Sequence, residues 1–274
     1  MSGPADALVK ALQAARESSI VVTTGAGISL ASGIPTFRGQ DPGAVWKRDV
    51  TELGTFRYFR EDPAGSWRWY MSRFDLVFAA RPNAAHLALT ALQAWQRAAG
   101  GSLLLITQNI DTLHEQAGSL DLVKVHGSAD RVRCVREGCR FGAPKGSLAR
   151  ADVDFDAFVR DPAVGNLPRC PACGDLLRQH VLWFDESYDS HADYQWDRVC
   201  AAAADADLFI FVGTSFSVGV TELLVESALS RNKPVFSIDP HAPTPIPGVI
   251  ALRAPSETLL PGVLRGLGIS GRDS

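Results

Sequence analysis

Four groups of residues in this chain have the types and spacing to do chemistry. The first is a glycine turn, Gly25-Ala26-Gly27-Ile28-Ser29, behind the β-branched run SIVVTT. Glycines there let a backbone close on a pyrophosphate, and a following helix would add unpaired N–H groups and the positive end of its dipole. The dinucleotide fingerprint asks for a third glycine three residues after Gly27, where this chain has Leu30. Alone, the turn fits a phosphate cradle and a plain strand-to-helix turn equally well. The second group is polar residues that close apolar runs: Gln108, Asn109 and Asp111 after one, His126 after the next, Gly213, Thr214 and Ser215 after a third, Asp239 after a fourth. Asn and Asp side chains hold a carboxamide by paired donor and acceptor contacts. A histidine titrating near neutrality takes a proton from a hydroxyl. Singly, each also fits a helix cap or a strand end; four such ends in one sheet point to a shared cleft.

The third group is the cysteines. Four of the five pair by spacing, Cys134 with Cys139 and Cys170 with Cys173. Two thiolate pairs on two turns suit tetrahedral zinc with every position filled, hence one structural ion; the alternative is two buried thiol pairs. Cys200 has no partner by spacing and is expected to be a small buried apolar residue. The fourth group lies in Trp67-Arg68-Trp69-Tyr70-Met71-Ser72-Arg73. On a helix Tyr70 and Arg73 share a face, and a phenol beside a guanidinium binds a carboxylate. The same stretch also fits an aromatic core helix with a solvated arginine.

These groups need a scaffold. Runs at 19–27, 102–109, 121–127, 207–215, 234–240 and 249–254 are almost continuously apolar and stop at polar or glycine residues. Such runs belong to parallel strands covered on both faces. Helical patterns at 4–17, 84–98, 112–117, 192–204 and 220–231 alternate with them. The expected fold is therefore α/β, a Rossmann-like doubly wound parallel sheet, whose ligands bind outside the carboxyl ends of the strands. Segments 1–40, 81–130 and 181–274 form this large domain. An aromatic helical insertion at 41–80 and the cysteine module at 131–180 are expected to make a smaller lobe.

Composition narrows the classes. The 274 residues are 46% hydrophobic and 21% charged, with 27 Lys and Arg against 30 Asp and Glu. This excludes wholesale disorder and gives no electrostatic case for nucleic acid or an anionic membrane. Arg131, Arg133, Arg136 and Arg140 are basic, but no aromatic platform interleaves them. No apolar run approaches the roughly 20 residues of a membrane span. The opening MSGPADALVKALQAARESS lacks the apolar core of a secretory leader. A reducing, cytoplasmic setting is the expectation.

Taken together the motifs resemble the sirtuins, the NAD-dependent protein deacylases. GAGISLASGIPTFRG (25–39), TQNID (107–111), VHGS (125–128), the four cysteines and VGTS (212–215) stand in that family's order. The resemblance implies NAD as co-substrate, one structural zinc and acylated lysines in protein substrates as partners. It implies that Gly25, Ala26, Thr36, Phe37 and Arg38 line the NAD pocket. Gln108, Asn109 and Asp111 would place the nicotinamide and its ribose, with Asn109 and Asp111 catalytic. Gly213, Thr214 and Ser215 would hold the phosphate and adenosine side, and Asp239 and Ser256 would meet the adenosine. His126 would be the general base that deprotonates a ribose hydroxyl after nicotinamide has left, giving free lysine and O-acyl-ADP-ribose. Thr36 and the Tyr70–Arg73 pair look like the class that removes succinyl and malonyl groups.

Four departures stand out. Where the family reads WFGE this chain has Trp183-Phe184-Asp185-Glu186, so that Phe184 and Glu186 are candidate substrate-binding residues while Asp185 stiffens a backbone that pairs with the peptide. Val220-Thr221 replaces Pro-Ala, Asp239 replaces Asn, and Gly43-Ala44-Val45-Trp46 replaces GLW. A mono-ADP-ribosyltransferase or NAD hydrolase on the same scaffold is the alternative, since it shares the nicotinamide departure and differs in the acceptor.

Overall fold

The computed structural model describes residues 3–36, 50–241 and 246–269. The chain runs α1 (Pro4–Ala14), β1 (Ser19–Thr24), α2 (Val50–Leu53), α3 (Phe56–Glu61), α4 (Pro63–Ala79), α5 (Ala84–Ala98), β2 (Ser102–Thr107), α6 (Leu113–Gln116) and β3 (Leu122–Lys124). It continues with β4 (Gly127–Cys134), β5 (Leu148–Ala149), α7 (Asp156–Arg160), β6 (Leu177–Val181), α8 (Trp196–Asp205), β7 (Leu208–Val212), α9 (Gly219–Ser230), β8 (Val235–Ile238), β9 (Val249–Leu252) and α10 (Ser256–Gly266).

The large sheet is parallel, in the order β3-β2-β1-β7-β8-β9. Successive side chains of a strand point to opposite faces, and here both faces are covered. Ile20, Val22 and Ile210 pack with Leu8, Leu12, Leu89, Leu92 and Leu260 of α1, α5 and α10. Val21, Phe209 and Phe211 pack with Val199, Leu224 and Ala228 of α8 and α9. That double burial is why the strands read as unbroken apolar runs. Strand order reverses between β1 and β7, where ligand crevices open in such sheets. In register, Thr24 stands opposite both Thr107 and Val212. The three segments that leave these strands therefore begin side by side.

The segment after Gly25 departs from the sequence expectation. It is a 3-10 helix, Ala26–Ser32, ended by Gly33 at φ 87°. The Ile28 carbonyl accepts from Asn83 Nδ2 at 2.8 Å, a bond that competes with the next α-helical turn. Asn83 also caps α5, accepting from the Ala85 N–H at 2.9 Å, and so ties the turn to that helix.

The smaller lobe holds an antiparallel sheet, β5-β4-β6. One apolar core joins this sheet to the aromatic helices: Phe59, Trp67, Tyr70 and Phe74 pack with Val132, Phe158, Leu177 and Trp183, and with Cys134 and Cys170. Asp62 caps α4 through the Gly65 N–H at 2.7 Å, ahead of Pro63 at the first helical position. Trp67 Nε1 donates to the Leu177 carbonyl at 2.9 Å across the lobe. Residues 43–46 lie outside the described residues. Among the described residues no helix is long and apolar enough to cross a membrane. Cys200 is a correction: it is exposed. The buried side of α8 carries Val199 and Ala203, and one further residue turns about 100° out of that face.

Candidate active site

The floor of the crevice is bare backbone. Gly27 N–H donates to the Gly213 carbonyl at 2.9 Å. A Cβ on Gly213, which sits at φ 60°, would lie 2.4 Å from Ile28 N, and one on Gly25 would lie 2.7 Å from Gly213 O. Glycine is required here because two strand-end turns touch through their main chains.

Polar side chains ring this floor. Asn109 and Asp111 are both buried. Asn109 Nδ2 donates to the Gly25 carbonyl at 3.1 Å and to Ser29 Oγ at 3.0 Å. Ser29 Oγ donates to Asp111 Oδ2 at 2.9 Å, and Asp111 Oδ1 accepts the Leu113 N–H at 3.1 Å. With both amide protons used, Asn109 offers its Oδ1 to an incoming donor. Gln108 Nε2 donates to Thr24 O and to Thr214 Oγ1, each at 3.2 Å, which bridges β1 to the turn after β7. Lys124 Nζ steadies the same corner from the Asp111 carbonyl and Ser128 Oγ, both at 2.7 Å.

His126 stands at the end of this row. Its Nδ1 lies 2.8 Å from the Gln108 carbonyl. A carbonyl only accepts, so Nδ1 carries the proton and Nε2 keeps the lone pair of a base. Burial pushes the imidazole pKa down to about 4, against the raising effect of the Gln108 bond. The ring is therefore neutral near pH 7, the form that can take a proton.

The other candidates fall in several places. Ala26 opens the 3-10 turn, and Thr36 is partly buried just beyond it. Phe37 and Arg38 lie outside the described residues. Ser215 is exposed and shares a 2.6 Å hydrogen bond with Ser217. Asp239, after β8, accepts the His241 N–H at 2.7 Å, and buried Ser256 begins α10. Val220 and Thr221 start α9, where Thr221 Oγ1 donates to Val218 O. Tyr70 and Arg73 share α4, as their spacing predicts. The Tyr70 hydroxyl accepts from Trp183 Nε1 at 2.8 Å, which leaves its own proton to donate. Burial raises the Tyr70 pKa and keeps the phenol neutral. Arg73 folds over the Trp69 ring at 4.5 Å and donates to the Trp69 carbonyl at 2.6 Å.

The Trp183–Glu186 segment is more structural than its sequence implies. Phe184 is exposed, but its N–H already bonds the Gly54 carbonyl at 3.0 Å. Asp185 accepts the Phe56 and Arg57 N–H groups at 2.7 and 3.0 Å and so caps α3. Glu186 is turned inward. Its carboxylate meets Arg178 at 2.5 Å, Arg133 at 2.8 Å and the Trp183 N–H at 3.0 Å. Against the upward push of burial, the two guanidiniums hold its carboxyl below the usual range.

The four paired cysteines come together, with near sulfur pairs at 3.4, 3.6 and 3.7 Å. Sulfurs on a tetrahedral zinc stand about 3.8 Å apart, so the set fits one closed structural ion. His180, His191 and Asp193 form another cluster of ligating atoms. His191, however, donates Nε2–H to the Gly146 carbonyl and accepts the Asp193 N–H at Nδ1, each at 3.1 Å. With both nitrogens committed, the cluster is a hydrogen-bonded joint between the cysteine module and the approach to α8.

Sequence reasoning assigned no role to Ser29, Thr24, His114 or Tyr188. Ser29 was within reach, since it closes the glycine motif. Thr24 Oγ1 lies 2.9 Å from Thr107 Oγ1 and 3.0 Å from His114 Nε2. Those partners are 83 and 90 residues away, beyond any local signal.

With this geometry in hand, comparison with known proteins decides the family. The Sir2 family profile matches residues 25–220. The chain belongs to the Sir2 family. An NAD-dependent protein deacylase of Thermus thermophilus is 39% identical over 228 residues, 83% of this chain and 81% of that one. A protein of the same name from Mycolicibacterium paratuberculosis is 36% identical over 250 residues, 90% of this chain and 97% of its own. Among solved structures, a Sir2 homolog in complex with NAD superposes with a TM-score of 0.77 at 34% identity, covering 97% of this chain and 95% of that chain. The glycine floor, the Gln108–Asp111 row and the four cysteines thus stand on a Sir2 fold.

Proposed function

We infer that this chain is an NAD-dependent protein-lysine deacylase that favours acidic acyl groups. The observation that carries the activity is the row at the switch point: Ser29, Asn109 and Asp111 in one buried network, with His126 fixed as a neutral base beside Gln108. NAD fits the glycine floor as co-substrate and supplies a ribose carbon that the acyl oxygen of the lysine amide attacks as nicotinamide leaves. The chain orients and moves protons. Gly25, Gly27 and Gly213 admit the diphosphate to backbone distance. Asn109 and Asp111 hold the nicotinamide ribose, whose position against the acyl amide substitutes for a strong nucleophile. His126 Nε2 takes the proton of the ribose hydroxyl that then attacks the acyl carbon. Water releases the lysine, and the acyl group leaves on ADP-ribose. The Thermus and Mycolicibacterium relatives carry the name of this activity, and a related Sir2 structure holds a deacetylated p53 peptide with 3′-O-acetyl-ADP-ribose.

The acidic preference rests on α4. A neutral phenol with a proton to give and a guanidinium three residues on present a carboxylate clamp, and Thr36 adds a small polar side chain to the NAD side. The test is turnover of matched acetyl-, malonyl- and succinyl-lysine peptides, following nicotinamide and free lysine together. Arg73→Met should cut kcat/KM on succinyl-lysine by about a hundredfold, the worth of one charge-assisted pair, and change acetyl-lysine turnover little. Equal losses on both sink the clamp. Nicotinamide release without free lysine sinks the deacylase and favours ADP-ribosyl transfer or NAD hydrolysis.

A further inference from the structure

One side chain touches the lone pair of the base, and the sequence pattern gives it no role. Tyr188 begins a 3-10 turn just beyond the Trp183–Glu186 segment. Its ring runs nearly parallel to two others: His126, with centroids 5.8 Å apart and planes 22° apart, and Trp196 of α8, at 4.4 Å and 13°. Its hydroxyl lies 3.3 Å from His126 Nε2. Because the Gln108 carbonyl fixes the imidazole proton on Nδ1, Nε2 can only accept, and the Tyr188 O–H donates to it. Gly219 lies beside the phenol ring, where even a Cβ would make only an ordinary 3.6 Å contact. Burial keeps the phenol protonated, and Glu222 of α9 pushes in the same direction. The backbone of Val220, in the first turn of α9, acts against this upward shift of the phenol pKa.

We propose that Tyr188 is a positioning residue for His126: its hydroxyl occupies and aims Nε2 in the resting enzyme and yields that place to the ribose hydroxyl of the bound substrate. The proposal rests on the deacylase reading, because it needs His126 to be the base. A hydrogen bond to the neutral imidazole also disfavours its protonation, so the hydroxyl should hold the base ready at lower pH than burial alone.

Tyr188→Phe removes the oxygen and leaves the ring contacts, so it separates the hydroxyl from packing. Two readouts are needed. The first is titration of the His126 imidazole by NMR in the full chain, which requires no turnover. The second is the pH profile of kcat and kcat/KM for an acyl-lysine peptide with saturating NAD. The expected result is a His126 titration raised by about half a unit to one unit. The acid limb of kcat/KM should rise with it, and kcat should fall about tenfold with KM within about twofold. If the enzyme deacylates and neither the titration nor kcat moves in Tyr188→Phe, the role of the hydroxyl is overturned. If the titration moves in a protein that releases no lysine from any acyl peptide, the deacylase reading beneath the proposal is overturned instead. Tyr188→Leu gives a further arm: a loss of kcat no deeper than in Tyr188→Phe assigns the effect to the hydroxyl, whereas a loss seen only in Tyr188→Leu assigns it to packing and overturns the proposal.

Discussion

At the scale of single residues, the site separates holding from acting. Asn109, Asp111 and Ser29 satisfy one another in a buried network, whereas Nε2 of His126, the proposed base, meets the Tyr188 hydroxyl at 3.3 Å. His126→Ala should therefore leave NAD affinity within a few-fold of the parent while lysine release falls by a factor of about 10² to 10⁴, the usual share of a general base. Calorimetric titration with NAD beside a peptide assay checks both halves; loss of NAD binding together with turnover would move His126 to a binding role. The row was legible in the sequence because each member closes an apolar run. Tyr188 was not, because it meets His126 from 62 residues away through a turn with no periodicity of its own. Glu186 shows what a motif does not carry: its carboxylate turns inward to Arg178 and Arg133, a direction no spacing in the sequence announces.

At the scale of elements, the strands were legible and the connections only in part. Burial on both faces writes a strand into the sequence as an unbroken apolar run, and β1, β2, β7 and β8 fall inside the expected runs. The 3-10 turn after Gly25 was read as a helix because its shape depends on Asn83, a distant side chain that holds the Ile28 carbonyl. The cap that Asp185 places on α3 was equally hidden, since it joins positions 128 and 129 residues apart. The loop that carries Trp183 is anchored by the inward Glu186. Glu186→Gln should lower unfolding free energy by about 3 kcal/mol, because two buried guanidiniums lose their counter-charge. Urea denaturation reads this directly. A stable variant with a raised KM for peptide would return Glu186 to the substrate surface.

At the scale of the whole molecule, buried histidines make the fold acid-sensitive. His86 and His180 are almost fully buried, and burial lowers each from the ordinary 6.5 to about 4. Between those values the unfolded chain binds protons that the folded chain refuses, so stability is full above about pH 6.5 and declines as pH falls toward 4. Each such group contributes a slope of up to about 1.4 kcal/mol per pH unit. Asp193 works in a lower window. The His180 imidazole 3.0 Å away holds it down to about 2, so its contribution survives until the pH drops below the ordinary 3.8. The urea midpoint should therefore drop markedly between pH 7 and pH 5; a flat midpoint over that range would mean that these imidazoles are protonated in the fold.

The shared core of the smaller lobe has a thermodynamic corollary. Cys134 and Cys170 pack in the same cluster as Tyr70 and Phe74 of α4, so an ion held by the sulfurs would also brace the helix that carries the proposed acyl clamp. Linkage runs both ways: whatever ligand braces α4 must tighten the grip on the ion by the same factor. Transfer of zinc to a chelator should accordingly slow when a succinyl-lysine peptide is present, and equal rates with and without peptide would show the two ends of the lobe to be independent. Thiol oxidation that loosens the ion would then first blur which acyl groups are accepted, with the base and its glycine floor still intact on the other sheet.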